Sequence, residues 1–452
     1  MLVALFVLEA CLVVLAMGMY KKGERTIVMF VTSRAGGICL LALAGLVVAL
    51  VVIVGRHRVG RVSRREGFRL AVALNLLSVA AGFGTGELAI RRISSRTSDG
   101  TMFLGMRLLP RDWHEVAAQH RDTLRESSLM GSYLVFDPML GWDVGRSRAS
   151  ANGLYFSSVE GIRSARAGER FAGSAVRSRV ALVGDSFTFG LEVTYEESWG
   201  QQLERKLGKD VQVLNFGVDG YGVDQAYLKY RQQVRAWRPD VVILGVIDHD
   251  LGRTMGVYAF LTFPGSSLPF PKPRMVVDRQ GLTTLNVPLP RPEEIFSTPS
   301  IGELPFIRFD PGYHPWEWER HYYQHSYLLR FLQSRFPRWP LPGPETSDEE
   351  TRHLNGELLR SFVRVALADR AIPVVVYFPN RTRFEGPVSP EGSTAPRLLR
   401  TANIPYLDMT DCVGRVEPRD RYVMRHFSRL ANEAIARCLR DVVWNHLAAV
   451  GK

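Results

Sequence analysis

Two residues of this chain are placed to do nucleophilic chemistry. Ser186 lies in "VALVGDSFTFG" (180–190), at the exit of an apolar run, and His426 lies in "MRHFS" (424–428), before a long amphipathic stretch. A hydroxyl is a weak nucleophile until a base takes its proton, and a neutral imidazole is the side chain best matched to that task near neutral pH. The turn from a strand into a helix leaves backbone N–H groups without intrahelical partners, so a serine there can attack a carbonyl while its own N–H steadies the oxyanion. The competing reading is that Ser186 caps a helix. Gly184-Asp185-Ser186 alone does not separate the two. The ordered succession of strand, tripeptide and amphipathic helix favours the nucleophile.

The elements that must position these residues follow from the hydrophobic pattern. Short runs rich in Val and Ile occur at 180–184, 211–216, 241–246, 372–378 and 404–409, as expected of parallel strands buried on both faces. Between the first two, Trp199, Leu203 and Leu207 share a helical face and Gly208 stops it. Tyr227, Tyr230, Val234 and Trp237 recur at helical spacing before Pro239, and Ala431, Ile435, Cys438 and Val442 line one side of a closing helix. Such alternation predicts a three-layer α/β/α sandwich with a five-stranded parallel sheet, flavodoxin-like in type, whose site lies beyond the carboxyl ends of the strands. The predicted domain occupies 177–450, interrupted at about 252–340 by a segment rich in Pro and aromatic residues. There Trp316, Trp318, Tyr322 and Tyr323 either stack on sugar rings or, the more ordinary role, pack the segment onto its own domain.

Residues 1–92 read as an N-terminal helical membrane region with two to three spans, at 2–20, 38–55 and 70–88, and 93–176 as a juxtamembrane connector. The stretch 38–55 has no charge. The loop 56–69 carries six arginines against one glutamate, which puts it in the cytoplasm and the following domain outside. Glu9, inside the first run, is read as pairing with a neighbouring helix. The net charge of +12 over 452 residues is explained by arginines beside membrane spans, and no nucleic-acid motif competes with that. Four cysteines without a CxxC or Cys/His cluster suggest no metal, and the chemistry needs no cofactor.

The stretch "GDSFTFGLEVTYEESWGQQLE" resembles the first block of the SGNH (GDSL-type) hydrolases, particularly a bacterial membrane-attached branch of esterases and O-acyltransferases. The likeness extends through "DPMLGW" (137–142) and "GIR" (161–163) upstream and through the five strands to the last helix. It implies Ser186 as the acylated residue, with Asp185 beside it, and His426 as the base. Gly220 of "NFGVDGYG" then supplies an oxyanion N–H, with Gly217 as the fallback. The third block of the family carries Asn-Asp. Here "GVIDHDL" sets His249, followed by Asp250, where that pair stands, and an imidazole N–H can donate in place of the amide. The last block carries Asp-x-x-His, whereas Val423 occupies the Asp position, leaving Asp420, Asp411 or a backbone carbonyl to orient His426. Cys412 and Cys438 either form a disulfide holding this loop or remain free. The resemblance implies a substrate bearing acyl, commonly acetyl, esters on extracytoplasmic glycan or lipid-linked carbohydrate at the bacterial inner membrane. It also implies a role beside a membrane acyltransferase partner. The rival from another class is an inactive module that binds glycan or that partner, which the altered third and last blocks favour.

Overall fold

The computed structural model describes residues 80, 83, 84, 86–263, 268–335, 348–385 and 394–450. Among them no helix is long and apolar enough to cross a membrane. The spans expected at 2–20 and 38–55 lie outside the described residues, as does most of 70–88. The chain divides into two units, one of residues 1–119 with 314–343 and one of 120–313 with 344–452.

The larger unit is built on five parallel strands: β1 (Ser178–Val183), β2 (Val211–Asn215), β3 (Val241–Val246), β4 (Ile372–Tyr377) and β5 (Tyr406–Asp408). Their order across the sheet is β5-β4-β3-β1-β2, with all pairings parallel. Because side chains alternate along a strand, each strand feeds two cores. Val180, Leu182, Val241, Ile243, Val374 and Val376 face one layer, while Ala181, Val183, Val242, Leu244, Val375 and Tyr377 face the other. The first layer is closed by α2 (Trp199–Leu207) and α7 (Arg429–Val450), through Trp199, Leu203, Ala431 and Ile435. The second is closed by α3 (Val223–Gln232) and α5 (Asp348–Ala368), through Tyr227, Tyr230, Leu358 and Phe362. The α2 ends follow the sequence: Ser198 accepts the Gln201 N–H, and Gly208 closes the helix at φ +93°. On α7 the buried residue is Val443 rather than Val442, which is only half-buried.

Residues 133–164, expected as part of a connector, form two antiparallel hairpins that contribute Leu140, Trp142 and Ile162 to the second core layer. Trp142 is fully buried, and its indole N–H donates to the Asp219 carbonyl at 2.8 Å. Arg163, also buried, donates to the carbonyls of Phe189, Gly190 (2.6 Å) and Val193 (2.7 Å) and covers the Phe189 ring at 4.3 Å. This segment escapes a periodicity search because its strands run only two to four residues. The part of the insertion within this unit is anchored by a buried ion pair between Lys272 and Asp224. Asp310 adds to it, accepting the N–H groups of Val257, Tyr258 and Gly312 at 2.8 Å each.

The smaller unit contains a three-stranded antiparallel sheet over Ser95–Arg107 and a helix Tyr327–Arg335, around Ile90, Phe103, Leu108 and Phe331. Here Trp318 packs edge-on to Trp113 and under Arg111, while Tyr322 is 88% exposed. Trp318 thus follows the packing reading of the aromatic segment.

Arg163→Met would leave the carbonyls of Gly190 and Val193 without this donor and that of Phe189 with Asn215 Nδ2 alone, each unsatisfied buried acceptor costing about 1–3 kcal/mol. We expect a marked fall in Tm that Arg163→Lys does not repair, because an ammonium lacks the guanidinium fork. Thermal unfolding of both variants checks this, and a Lys variant with wild-type Tm would contradict it.

Candidate active site

Beyond Gly184, at the end of β1, the chain turns into the single-turn helix α1 (Ser186–Phe189). Gly184 adopts φ +148°, and a Cβ there would sit 2.2 Å from Thr188 Oγ1 and 2.8 Å from the Gly245 carbonyl, so the turn closes only around glycine. Asp185, not Ser186, caps this helix: its Oδ1 accepts the Phe187 N–H at 2.9 Å. Ser186 is therefore released from capping and stands at the first helical position, 2% exposed. Its own N–H, in the first turn, has no acceptor within the helix.

The Ser186 Oγ is 2.8 Å from His426 Nε2. The loop carrying His426 is held by Phe427, buried against Phe187 at 4.9 Å, by the Tyr422 hydroxyl donating to the Pro379 carbonyl at 2.8 Å, and by a Cys412–Cys438 disulfide. The disulfide resolves the alternative left open by the sequence.

The carboxylate behind the imidazole is Glu192, a residue the sequence reading missed. Its Oε1 lies 3.0 Å from His426 Nδ1, a close ion-pair contact whose N–H direction falls short of a straight hydrogen bond. Such angles commonly straighten only when substrate is bound. Its Oε2 accepts three successive N–H groups, from Met424 (2.9 Å), Arg425 (3.0 Å) and His426 (3.1 Å). The Glu192 N–H in turn donates to the Tyr155 hydroxyl at 2.8 Å. Glu192 occupies the left-handed region at φ +72°, which for a non-glycine residue costs on the order of 1 kcal/mol and concentrates at functional sites. Partial burial pushes its carboxyl up, but the His426 contact and the three loop N–H groups outweigh that and hold it below its ordinary 4.5. With Nδ1 facing a carboxylate, the tautomer that leaves Nε2 free to accept the serine proton is the favoured one.

The alternative orienters do not reach the ring. Val423 is 51% exposed, and its N–H donates to the His426 carbonyl at 3.0 Å. Asp411 is exposed on a short helix, and Asp420 offers its backbone carbonyl to Ser428 Oγ.

On the opposite side the expected oxyanion donors are rearranged. His249 is exposed at the start of α4 (Asp248–Arg253). Four residues on, Arg253 reaches inward instead: its Nη1 is 3.2 Å from Asp185 Oδ2 and 2.9 Å from Asp250 Oδ1. The same Asp185 Oδ2 is 3.4 Å from Ser186 Oγ, so Asp185 links the guanidinium to the serine's flank. Asp250 is a structural member of this bridge, its Oδ2 also accepting the Ile247 N–H at 3.0 Å; burial and the Asp185 charge push its carboxyl up against the pull of Arg253. Gly220 adopts the left-handed region at φ +80°. Gly217 is a packing glycine: a Cβ there would lie 2.4 Å from the Phe189 nitrogen, and its N–H goes to Asn215 Oδ1 at 2.9 Å. Asp219 itself faces this region. Burial raises its carboxyl, Arg253 and His426 lower it, and Asp185 raises it again.

No protein family and no curated protein matches the sequence. Solved structures do. One is a lipolytic protein of the G-D-S-L family from Desulfitobacterium hafniense, at 13% identity over 60% of this chain and 99% of that one, TM-score 0.30. Another is a lipase/acylhydrolase from Enterococcus faecalis, at 11% identity over 59% and 96%, TM-score 0.30. A third is an acetyl-xylooligosaccharide esterase from Geobacillus, at 11% identity over 60% and 95%, TM-score 0.31.

Removing the Glu192 charge should disable the base. Glu192→Gln is expected to lower kcat by about 10³–10⁴-fold, the cost of losing the orienting carboxylate in such triads, with Glu192→Asp retaining part. The same change carries a pH signature. A carboxyl lowered below 4.5 in the folded chain adds stability that is present above its unfolded value and lost as pH falls through the folded one. The Tm gap between wild type and Glu192→Gln should therefore be widest near neutral pH and close below pH 4.5; a gap that widens toward acid would contradict the assignment. The solved structures that this chain is similar to are thus a lipolytic protein of the G-D-S-L family, a lipase/acylhydrolase and an esterase.

Proposed function

We propose that the protein is a membrane-anchored serine esterase or O-acyltransferase of SGNH type. Its domain faces the extracytoplasmic space and acts on acyl esters of glycan or lipid-linked carbohydrate. The observation that carries this reading is the continuous line Ser186 Oγ–His426 Nε2, His426 Nδ1–Glu192 Oε1 at 2.8 and 3.0 Å. His426 takes the Ser186 proton as Oγ bonds to the ester carbonyl, and Glu192 balances the imidazolium that forms. The tetrahedral oxyanion is met by the Ser186 N–H, with the Arg253 guanidinium nearby supplying positive potential in a largely water-excluded site. Collapse breaks the bond to the alcohol, which leaves with the proton from His426. A second acceptor, water or a sugar hydroxyl, then repeats the steps in reverse and frees Ser186. Hydrolysis and transfer differ only in that acceptor.

Two features support the placement. A Cys412–Cys438 disulfide is the chemistry of an oxidising compartment, and the arginine-rich loop 56–69 suits the cytoplasmic face. The exposed His249 favours the rival reading of a non-catalytic binding module. The complete serine-histidine-carboxylate line opposes it.

A fluorophosphonate probe separates the two. Wild-type protein should label, and both Ser186→Ala and His426→Ala should not. Absence of wild-type labelling, or equal labelling of Ser186→Ala, would leave the binding module as the better description.

A further inference from the structure

Within the smaller unit, the end of the apolar run 70–88 is tied directly to a segment 239 residues further on. Glu87 Oε2 accepts the Ser326 hydroxyl at 2.7 Å and the Leu328 N–H at 2.8 Å. Arg91 Nη2 donates to the His325 carbonyl at 3.1 Å, and its guanidinium lies 4.7 Å from the centre of the Tyr327 ring. Gly86 permits a close approach, since a Cβ there would lie 3.5 Å from Leu328 Cδ2, and Ile90 is buried in the same small core as Phe331. Gly86, Glu87, Ile90 and Arg91 are therefore the protein-facing side of the helical residues 86–93.

The opposite side of this helix is apolar and exposed. Leu88 is 58% and Ile93 55% exposed, with Ala89 exposed on the same side. Phe83, two turns ahead of the buried Ile90, is 50% exposed. The remaining exposed large apolar side chain among the described residues of this unit is Tyr322. It opens the turn Tyr322–His325, whose last carbonyl Arg91 holds. Tyr322 stands edge-on to Tyr323 at 5.6 Å, and Tyr323 stacks on the exposed His321 at 5.3 Å. Apolar side chains exposed singly need no explanation, but a group gathered where one helix meets one turn marks a contact surface. The same two segments carry Arg91, Arg92, Arg96 and Arg320 exposed, against Glu319 as the exposed acid.

We propose that Leu88, Ile93 and the Tyr322–His325 turn form a collar that beds the smaller unit in the headgroup layer of a phospholipid bilayer. The inference rests on the membrane-anchored reading and adds to it the folded surface that meets the lipid. The dimensions agree. From Glu87 to Ile93 a helix rises about 9 Å, and the headgroup layer on each side of the hydrocarbon core is about 5–8 Å thick. Residues 88–93 therefore cross that layer if the run before them spans the core. A tyrosine ring with a polar tip suits the boundary between acyl chains and water, and the arginines beside it can pair with lipid phosphates. A protein partner fits less well, because the exposed side is continuous with a run that is itself apolar enough for lipid.

The test uses the full-length chain in nanodiscs of phosphatidylethanolamine and phosphatidylglycerol, with Cys11 and Cys39 replaced by Ser and the Cys412–Cys438 disulfide kept. A single nitroxide label is attached at Leu88→Cys, His321→Cys, Tyr322→Cys or Gln280→Cys, the last on an exposed hairpin turn of the larger unit. All four sites are exposed, so the labels leave the core intact. Collision of each label with oxygen, which concentrates in lipid, is compared with collision with a water-soluble nickel chelate. The oxygen-to-nickel ratio should be highest at Leu88, and at His321 and Tyr322 should stand several-fold above that at Gln280. Ratios at His321 and Tyr322 equal to that at Gln280, with Leu88 still in lipid, overturn the collar and leave the anchor standing. Exclusion of both agents from Tyr322 shows a protein covering the turn and also overturns it. An aqueous ratio at Leu88 as well, with the chain released from membranes by alkaline carbonate, would remove the membrane-anchored reading and the collar with it.

Discussion

Glu192 divides its carboxylate between two tasks, and the active geometry depends on both. One oxygen faces the His426 ring; the other collects the N–H groups of Met424, Arg425 and His426. Three converging backbone dipoles make an anion cradle, so the charge that orients the imidazole also sets the path of the loop that carries it. The two tasks reinforce one another. A carboxylate kept ionised by the loop is a better partner for an imidazolium, and a loop fixed by the carboxylate has little freedom to swing Nε2 away from Ser186.

That arrangement needs a rigid foundation, and charge buried in the right places provides it. Arg163 gathers the carbonyls of Phe189, Gly190 and Val193 from the far side of the turn that bears both Ser186 and Glu192. Burial lowers this guanidinium to about 10 without discharging it at neutral pH. Arg253 performs the matching role on the other flank by bridging Asp185 and Asp250, which would otherwise repel across a dry interior. Asp185 thus works as helix cap, as counterion and as neighbour of the Ser186 hydroxyl. The residues 133–164 belong to this foundation, since they bring Arg163 and Tyr155 to the turn from behind.

Much of this was legible in the residue order. Short Val- and Ile-rich runs point to strands buried on both faces because β-branched residues suit the pleated backbone and five or six residues are too few for a typical helix, and the observed β1–β5 fall on all five runs. Ser186 was legible because a strand exit followed by glycine and an amphipathic helix is a local pattern. His426 was found from its position ahead of α7. Glu192 was not, because nothing local distinguishes it: it is one acid among several in "GLEVTYEE", and its partner lies 234 residues away. The only hint was negative, Val423 in place of an acid. His249 is exposed at the start of α4, while Arg253, four residues on, reaches Asp185 through its long side chain.

The sequence by itself determined the layers, the strand count and the places of Ser186 and His426 at a strand exit and ahead of the last helix, since each is written in short-range periodicity or in a motif of adjacent residues. Tertiary structure alone decided which carboxylate stands behind the histidine, which cation pairs with Asp185 beside the serine, and that Cys412 meets Cys438. Each of these joins groups far apart along the chain. Their meeting depends on loop conformation and helix rotation, which are set by packing across the whole domain and by no local run of residues.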